Sequence, residues 1–249
     1  MAGHSKFANI KHRKGAQDKK RAKFFTKLLR EITVAAKTGQ PDINFNPRLR
    51  NAVIDARSSN VPKDRIEAAI KKVAEGADGD NYDEIRYEGY GPGGIAFIVE
   101  AMTDNRNRTA GEVRSIFTKA GGSLGETGSV NFMFDHVGAI SYEGGKASED
   151  EFFETALEAG ADDVVSGDDL HMAYTQLESF ADVRDQLIEK FGDPSSAKIE
   201  WKAKEATQVD DLEKAQKILK LVDALEDCDD VQNVFGNFDF TDEVAQGLE

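Results

Sequence analysis

The hydrophobic pattern of this chain changes its period at one point, and that change limits the folds it can form. Up to about residue 75, apolar residues recur at intervals of three and four, as they do on amphipathic helices. After the glycine- and acid-rich stretch AEGADGDNYDE, strand-like runs alternate with helical ones. This order predicts a helical N-terminal part followed by mixed α+β structure.

Three short amphipathic helices are predicted before that change. The second begins at FNPRLRNAVIDARSS, where Asn46 can cap it and Pro47 suits its first turn. Because the connections between the helices are short, we expect a three-helix bundle over residues 21–78. Residues 1–20 hold too few periodic apolar residues for a packed element, and we interpret them as an extended basic arm.

Strands and helices alternate over the rest of the chain. The predicted strands are Ile85–Glu88, Ile95–Met102, Val130–Phe134, Ala139–Tyr142, Met172–Gln176, Ala197–Lys202 and Val231–Phe235. The predicted helices are 109–120, 149–159, 179–191 and 210–226. Residues 138–203 alone follow the β-α-β-β-α-β order of ferredoxin-like domains. We therefore predict an α+β fold of three domains: the helical bundle, a split α+β domain over 79–135 plus 204–249, and a ferredoxin-like α+β domain over 136–203 inserted in it.

Charge is divided unevenly along the chain. Residues 1–37 hold 11 Lys or Arg and two acids, although the whole chain has a net charge of −14. Residues 1–72 carry 18 Lys and Arg against 6 Asp and Glu, and the remaining residues carry 14 against 40. A basic end on an acidic body is typical of a protein that binds a polyanion through that end. A solubilising or disordered basic tail is the alternative.

The cations of the arm and the bundle are the predicted contacts with nucleic-acid phosphates. They would neutralise phosphates and release counterions, while the acidic body would repel the same polyanion and so orient the protein. The candidate contacts are Lys6, Lys11, His12, Arg13, Lys14, Lys19, Lys20, Arg21, Lys23, Lys27, Arg30, Arg48 and Arg50. No feature of the sequence reads base edges, so the pattern predicts position and affinity but no specificity.

Two glycine motifs resemble enzyme signatures but stand in the wrong structural context. The stretch GYGPGG matches G-x-G-x-x-G, yet a strand follows it where a dinucleotide fold needs a helix, so we expect a hairpin loop. The stretch GGSLG matches G-x-S-x-G around Ser123, yet a helix precedes it and a strand follows. We therefore expect a helix C-terminal turn at Gly121 and no catalytic residue.

The titratable residues predict no metal site, cofactor or disulfide. His136 and His171 lack metal-ligand spacing and are expected in turns or on the surface. Acidic pairs such as Asp229 and Asp230 are expected on a solvated acidic face. The single cysteine, Cys228, excludes an intrachain disulfide and favours a reducing, cytoplasmic setting. No apolar run approaches the ~18 residues of a membrane span.

Four long stretches together resemble the YebC family, bacterial proteins related to the mitochondrial translational activator of cytochrome c oxidase. The stretches are MAGHSKFANIKHRKGAQDKKRAKFFTKLLREITVAAK, NPRLRNAVIDARSSNVPKDRIEAAIKK, YEGYGPGGIAFIVEAMTDNRNRT and DCDDVQNVF. The resemblance runs from Met1 to about residue 245. Phe7 stands where the family usually has tryptophan, so an aromatic ring is kept and the indole N–H donor is lost.

The resemblance implies a helical bundle with two α+β domains, one inserted in the other, and a regulator of gene expression without catalysis. Family members are described as probable DNA-binding transcriptional regulators, or as ribosome-associated factors that help translation through proline-rich stretches. The implied partner is therefore promoter DNA or ribosomal RNA. An enzymatic or small-ligand site in the cleft between the α+β domains is a further alternative. Neither the oligomeric state nor an effector follows from the sequence.

Overall fold

The computed structural model describes residues 18–76 and 81–248. The α-helices are α1 (Asp18–Thr38), α2 (Pro47–Ser58), α3 (Lys63–Ala74), α4 (Arg106–Lys119), α5 (Glu149–Ala159), α6 (Phe180–Phe191), α7 (Leu212–Glu226) and α8 (Asp242–Gly247). The strands are β1 (Asp83–Tyr90), β2 (Ala96–Thr103), β3 (Ser123–Leu124), β4 (Phe134–Glu143), β5 (Asp163–Ser166), β6 (Leu170–Thr175), β7 (Ser196–Ala203), β8 (Thr207–Val209), β9 (Val231–Gly236) and β10 (Phe238–Phe240). The predicted α+β class is confirmed.

The first three helices pack around an apolar core of their own. Asn46 connects α1 to α2, because its side chain accepts a hydrogen bond from the Leu49 N–H at 3.0 Å and donates one to the Ala35 carbonyl at 2.8 Å. The predicted cap is therefore confirmed. The buried core residues are Ile32, Ala35, Ala36, Leu49, Ala52, Val53, Ala56, Val61 and Ile66. Burying each of the larger side chains contributes about 1.5–3 kcal/mol.

A sheet in the order β3-β1-β2-β9 follows the bundle. Strands β1 and β2 pair antiparallel from Asp83 opposite Thr103 to Tyr90 opposite Ala96. Phe97 of β2 belongs to the core cluster that α4 and α7 complete, and Ile98 belongs to a second cluster with Val130 and Phe134. Strand β2 is thus buried on both faces, which explains why residues 95–99, IAFIV, are all apolar.

The inserted part has the strand order β5-β6-β4-β7 of a ferredoxin-like sheet, as predicted. Strands β4 and β6 pair antiparallel from Gly138 opposite Thr175 to Glu143 opposite Leu170. Its core combines residues of the sheet with residues of α5 and α6. The buried members are Ile140, Tyr142, Phe152, Ala156, Ala161, Ala173, Phe180, Val183, Leu187 and Ala197.

The described residues fall into two compact units. One is drawn from residues 24–76 and 136–200, and the other from residues 18–23, 81–135 and 201–248. The finer division into 1–20, 21–78, 79–135 plus 204–249, and 136–203 stays a prediction. None of the helices within the described segments is long and apolar enough to cross a membrane.

Polar contacts join the bundle to the inserted sheet within the first unit. The Asp55 carboxylate on α2 accepts a hydrogen bond from the Ala197 N–H on β7 at 3.0 Å. The fully buried Arg184 of α6 donates to the side-chain oxygen of Asn51 on α2. Helix α2 therefore packs its apolar face on the bundle core and binds β7 and α6 through polar side chains.

One predicted strand is wrong. Residues Val130–Phe134 were expected to be extended, but Asn131–Met133 form a 3₁₀ turn, and β4 begins only at the last residue of that range. The buried Glu88 carboxylate accepts the N–H groups of Val130 and Asn131, both at 2.9 Å. Because these donors bind a side chain, they cannot join a strand ladder. Strands β3, β5, β8 and β10 were not predicted.

Candidate nucleic-acid interface

The predicted phosphate contacts fall into three groups in the structure. Lys6, Lys11, His12, Arg13 and Lys14 lie outside the described residues. Lys19, Lys20 and Arg21 lie in the first turn of α1, where the structure describes the backbone. Described side chains belong to Lys23, Lys27, Arg30, Arg48 and Arg50. The assignment of all thirteen residues to a nucleic-acid contact stays a prediction.

Lys23 has an acidic partner within its own unit. Its ammonium group donates to the Asp227 carbonyl at 2.9 Å and lies 3.1 Å from an Asp229 carboxylate oxygen. The hydrogen bond to Asp229 raises the pKa of Lys23 above its ordinary value. The lysine and Asp229 are both largely exposed, and pairs of this kind contribute about 0–1 kcal/mol. A phosphate that binds Lys23 would therefore have to compete with Asp229.

Lys27 and Arg30 follow Lys23 on α1 at spacings of four and three residues. Residues with these spacings share one face of a helix. Both side chains are partly buried. Lys23, Lys27 and Arg30 thus lie in a line along one face of α1.

Arg48 forms a bidentate ion pair with Glu31 of α1. Its Nε lies 2.8 Å from Glu31 Oε1, and its Nη2 lies 3.2 Å from Glu31 Oε2. A planar guanidinium that meets both carboxylate oxygens has its preferred geometry. Arg48 therefore contributes to the packing of α2 on α1, and a phosphate would have to compete with Glu31.

Arg50 also has partners inside its unit. It donates to the Ile43 and Asn44 carbonyls, both at 3.0 Å, and forms an ion pair with Asp185 at 3.3 Å. These bonds fix the loop between α1 and α2 and connect it to α6. Sequence periodicity places Arg48 and Arg50 on polar faces, but it cannot show that both guanidinium groups have carboxylate partners.

The two glycine motifs form the turns that we predicted. Residues Pro92–Gly94 form a 3₁₀ turn between the antiparallel strands β1 and β2, with Gly93 at φ 72°. Gly121 has φ 80° after the end of α4, and Ser123 then begins the two-residue strand β3. Only glycine adopts such positive φ values without strain, so a turn accounts for both motifs.

The prediction of a solvated position is wrong for Asp230, which is buried. Its Oδ2 atom accepts hydrogen bonds from the Thr103 and Thr109 hydroxyls, at 3.1 and 2.7 Å, and from Arg108 Nη2 at 2.7 Å. Burial acts to raise the pKa of Asp230, but these hydrogen bonds outweigh it and hold the pKa below its ordinary value. Asp229, its neighbour, is exposed as predicted.

The surface prediction is also wrong for His171, which is buried on β6. Its Nε2 atom donates toward the Gly144 and Ala147 carbonyls, at 2.9 and 3.1 Å. The ring stacks on Phe152 with centroids 4.8 Å apart. His171 therefore fills the core and satisfies loop carbonyls, whereas His136 is exposed on β4 as expected. In residues 18–76 and 81–248, no group of three or more His, Cys, Asp or Glu is arranged to hold a metal ion.

Comparison with known proteins gives two family matches that together span most of the chain. Residues 5–76 match the family described as the TACO1/YebC protein N-terminal domain. Residues 82–238 match the family described as the TACO1/YebC second and third domain.

Relatives and a solved structure match over nearly their whole lengths. A probable transcriptional regulatory protein of Rickettsia bellii (strain OSU 85-389) is 58% identical over 249 residues, covering 100% of this chain and 97% of the relative. One of Rickettsia felis is 59% identical over 250 residues, covering 100% and 99%. The crystal structure of a conserved hypothetical protein from Aquifex aeolicus matches with a TM-score of 0.84 and 46% identity, covering 91% of this chain and 93% of the other. On these matches, the chain belongs to the TACO1/YebC family.

Proposed function

We propose that this protein is a nucleic-acid-binding regulator of gene expression that acts without catalysis, with DNA as its target. The observation that carries the proposal is the charge of its N-terminal segment. Residues 1–37 hold 11 Lys or Arg in a chain with a net charge of −14. Lys and Arg at this density neutralise phosphates and release the counterions that surround them.

The names of the relatives favour DNA as the target. The Rickettsia proteins, at 58% and 59% identity, are named probable transcriptional regulatory proteins. At this identity over the full length, the same function is the simplest proposal for this chain. Ribosomal RNA presents the same phosphate backbone, so binding to the ribosome is the alternative outcome that an experiment has to separate.

We propose that the protein has no catalytic activity because the two glycine motifs that resemble enzyme signatures have other structural roles. Both glycine motifs form turns, as described above, and Ser123 lies on a two-residue strand. The buried carboxylate of Asp230 is hydrogen-bonded by three donors from its own unit. These internal bonds account for the buried position of the carboxylate without a substrate.

The experiment is a promoter-occupancy measurement beside ribosome co-sedimentation, with a matched charge variant. The variant, called the arm variant because it changes the cations where the basic arm continues into α1, carries Lys19→Glu, Lys20→Glu and Arg21→Glu. Lys23 is left unchanged because a glutamate there would face Asp229. We expect the wild type to be enriched at discrete promoters and the arm variant to lose that enrichment. Co-sedimentation with ribosomes and no promoter enrichment would instead establish the RNA alternative, and failure in both measurements would contradict the proposal.

A further inference from the structure

Helix α3 (Lys63–Ala74) has two polar flanks that differ in charge. Its apolar stripe packs on the bundle core through Ile66, with Ala69, Ile70 and Val73 beside it. With about 3.6 residues per turn, the remaining positions lie on either side of that stripe. We call these two sides the paired flank and the cationic flank.

The paired flank consists of Lys63, Asp64, Glu67, Lys71 and Glu75. Lys63 lies 3.6 Å from Glu67, and Lys71 lies 3.6 Å from Glu75, each four residues apart. These pairs match cations with carboxylates on the helix surface. The paired flank therefore presents no surplus of positive charge to a polyanion.

The cationic flank consists of Arg65, Ala68 and Lys72, all exposed. Residues 65, 68 and 72 are spaced by three and four, so they share one face of the helix. Glu75, three residues after Lys72, forms its ion pair with Lys71 instead. Within the described residues, neither Arg65 nor Lys72 forms an ion pair. This distinguishes them from Arg48 and Arg50, whose guanidinium groups bind Glu31 and Asp185.

Helix stability does not explain the cationic flank. Lys72 lies in the last turn of α3, where the helix dipole favours a cation. Arg65 lies in the first turn, where the dipole disfavours one. An arginine without a carboxylate partner at the unfavourable end of a helix points to a ligand outside the chain.

We propose that the cationic flank of α3 is a phosphate-binding surface for nucleic acid. The inference rests on the proposed function and extends it to residues that the sequence pattern did not select. Arg65 and Lys72 are seven residues apart, which corresponds to about 10 Å along the helix axis. Ala68 between them is small, so a sugar-phosphate backbone can approach the helix closely. The Arg65 guanidinium can donate two parallel hydrogen bonds to one phosphate.

The test compares two double variants of the same helix. Arg65→Ala/Lys72→Ala removes both cations of the cationic flank, and Lys63→Ala/Lys71→Ala removes two cations of the paired flank. Both change the net charge equally, and alanine favours the helix at all four positions. Affinity for duplex DNA is measured against salt concentration, because each lost phosphate contact lowers the slope of log affinity against log salt by about 0.9.

We expect Arg65→Ala/Lys72→Ala to reduce the slope by about 2. We expect Lys63→Ala/Lys71→Ala to leave the slope within about 0.5 of the wild type. Arg65→Lys/Lys72→Arg keeps both charges and should keep the slope, which separates a lost contact from a folding defect. Equal slopes in the two alanine variants would overturn the inference, because only long-range charge would then matter.

Different experimental results would overturn this inference and the proposed function. If the arm variant loses binding while Arg65→Ala/Lys72→Ala binds like the wild type, the inference is overturned and nucleic-acid binding through the arm stands. If the wild type shows no salt-dependent binding to duplex DNA or to ribosomal RNA, both are overturned.

Discussion

Asp230 joins three chain segments through one carboxylate. Thr103 ends β2, Arg108 and Thr109 lie in the first turn of α4, and all three donate to Asp230 Oδ2 at 2.7–3.1 Å. We expect Asp230→Ala to lower the free energy of unfolding by about 3 kcal/mol, because it removes one buried acceptor that Arg108 and two threonine hydroxyls share, although Arg108 keeps its ion pair with Asp104. Denaturant unfolding of the purified chain measures this change.

The neighbouring residue supplies the control for this prediction. Asp229 is exposed, and its pair with Lys23 contributes about 0–1 kcal/mol, so Asp229→Asn should change stability by less than 1 kcal/mol. Since the pKa of Asp230 is lowered in the folded state, its stabilisation is present above the ordinary pKa of aspartate and is lost as the pH falls below it. If Asp230→Ala and Asp229→Asn changed the free energy of unfolding equally, the buried carboxylate would contribute no more to stability than the exposed one.

Residue-level periodicity could not have found this network. The partners of Asp230 lie 121 to 127 residues away in the chain. Hydrophobic spacing indicates which residues share a face of one helix or strand. Whether a carboxylate can be buried depends on hydrogen-bond donors from other elements, which the spacing does not show. The same limit applies to Arg48 and Arg50. Their helical positions were predictable, and their carboxylate partners were not.

At the scale of elements, Asp55 joins α2 to β7. Burial raises the pKa of Asp55 to about 6, and the positive charge of Lys198 and the Ala197 N–H oppose that shift only in part, while Glu31 adds to it. A carboxyl group with a raised pKa in the folded state stabilises the fold when protonated. That contribution is fully present below about pH 4 and is lost as the pH rises through about 6.

We therefore expect Asp55→Asn to stabilise the protein at pH 8 and to have little effect at pH 4. The pKa shift corresponds to an upper bound of about 3 kcal/mol, and since Asp55 keeps some contact with water we expect about 1 kcal/mol. Urea unfolding at both pH values measures the difference, with the exposed Asp162→Asn as the control. A loss of stability at pH 8 would show that the attraction between the Asp55 carboxylate and the positive charge of Lys198 outweighs the cost of burying the carboxylate.

Elements with their own start and stop signals were predictable from the sequence. The predicted helix 149–159 has the observed bounds of α5, because the Ser148 side chain caps its first turn and Gly160, at φ 104°, ends it. The missed strands β3, β8 and β10 have only two or three residues. A strand that short shows no alternation, and its pairing with a distant strand alone defines it.

At the scale of the whole molecule, opposite charges lie at opposite ends of the sequence. Residues 1–72 carry 18 Lys and Arg against 6 Asp and Glu, and the remaining residues carry 14 against 40. An acidic body repels a polyanion that the basic end attracts, so such a division favours one docking orientation. The sequence alone predicted this property, because charge counts need no fold. The structure was needed to show which of these cations already have carboxylate partners inside the protein, as Arg48 and Arg50 do.

The salt dependence of nucleic-acid affinity shows whether the basic N-terminal segment binds phosphates. If the wild type neutralises about six phosphates, the slope of log affinity against log salt should be near −5 on duplex DNA and near −4 on single strands. The arm variant loses about three contacts, so its duplex slope should be near −3. Its melting temperature should match that of the wild type, because surface substitutions away from packed features change stability by less than about 0.5 kcal/mol. An arm variant with unchanged melting temperature and unchanged slope would contradict a phosphate-binding role for the basic N-terminal segment.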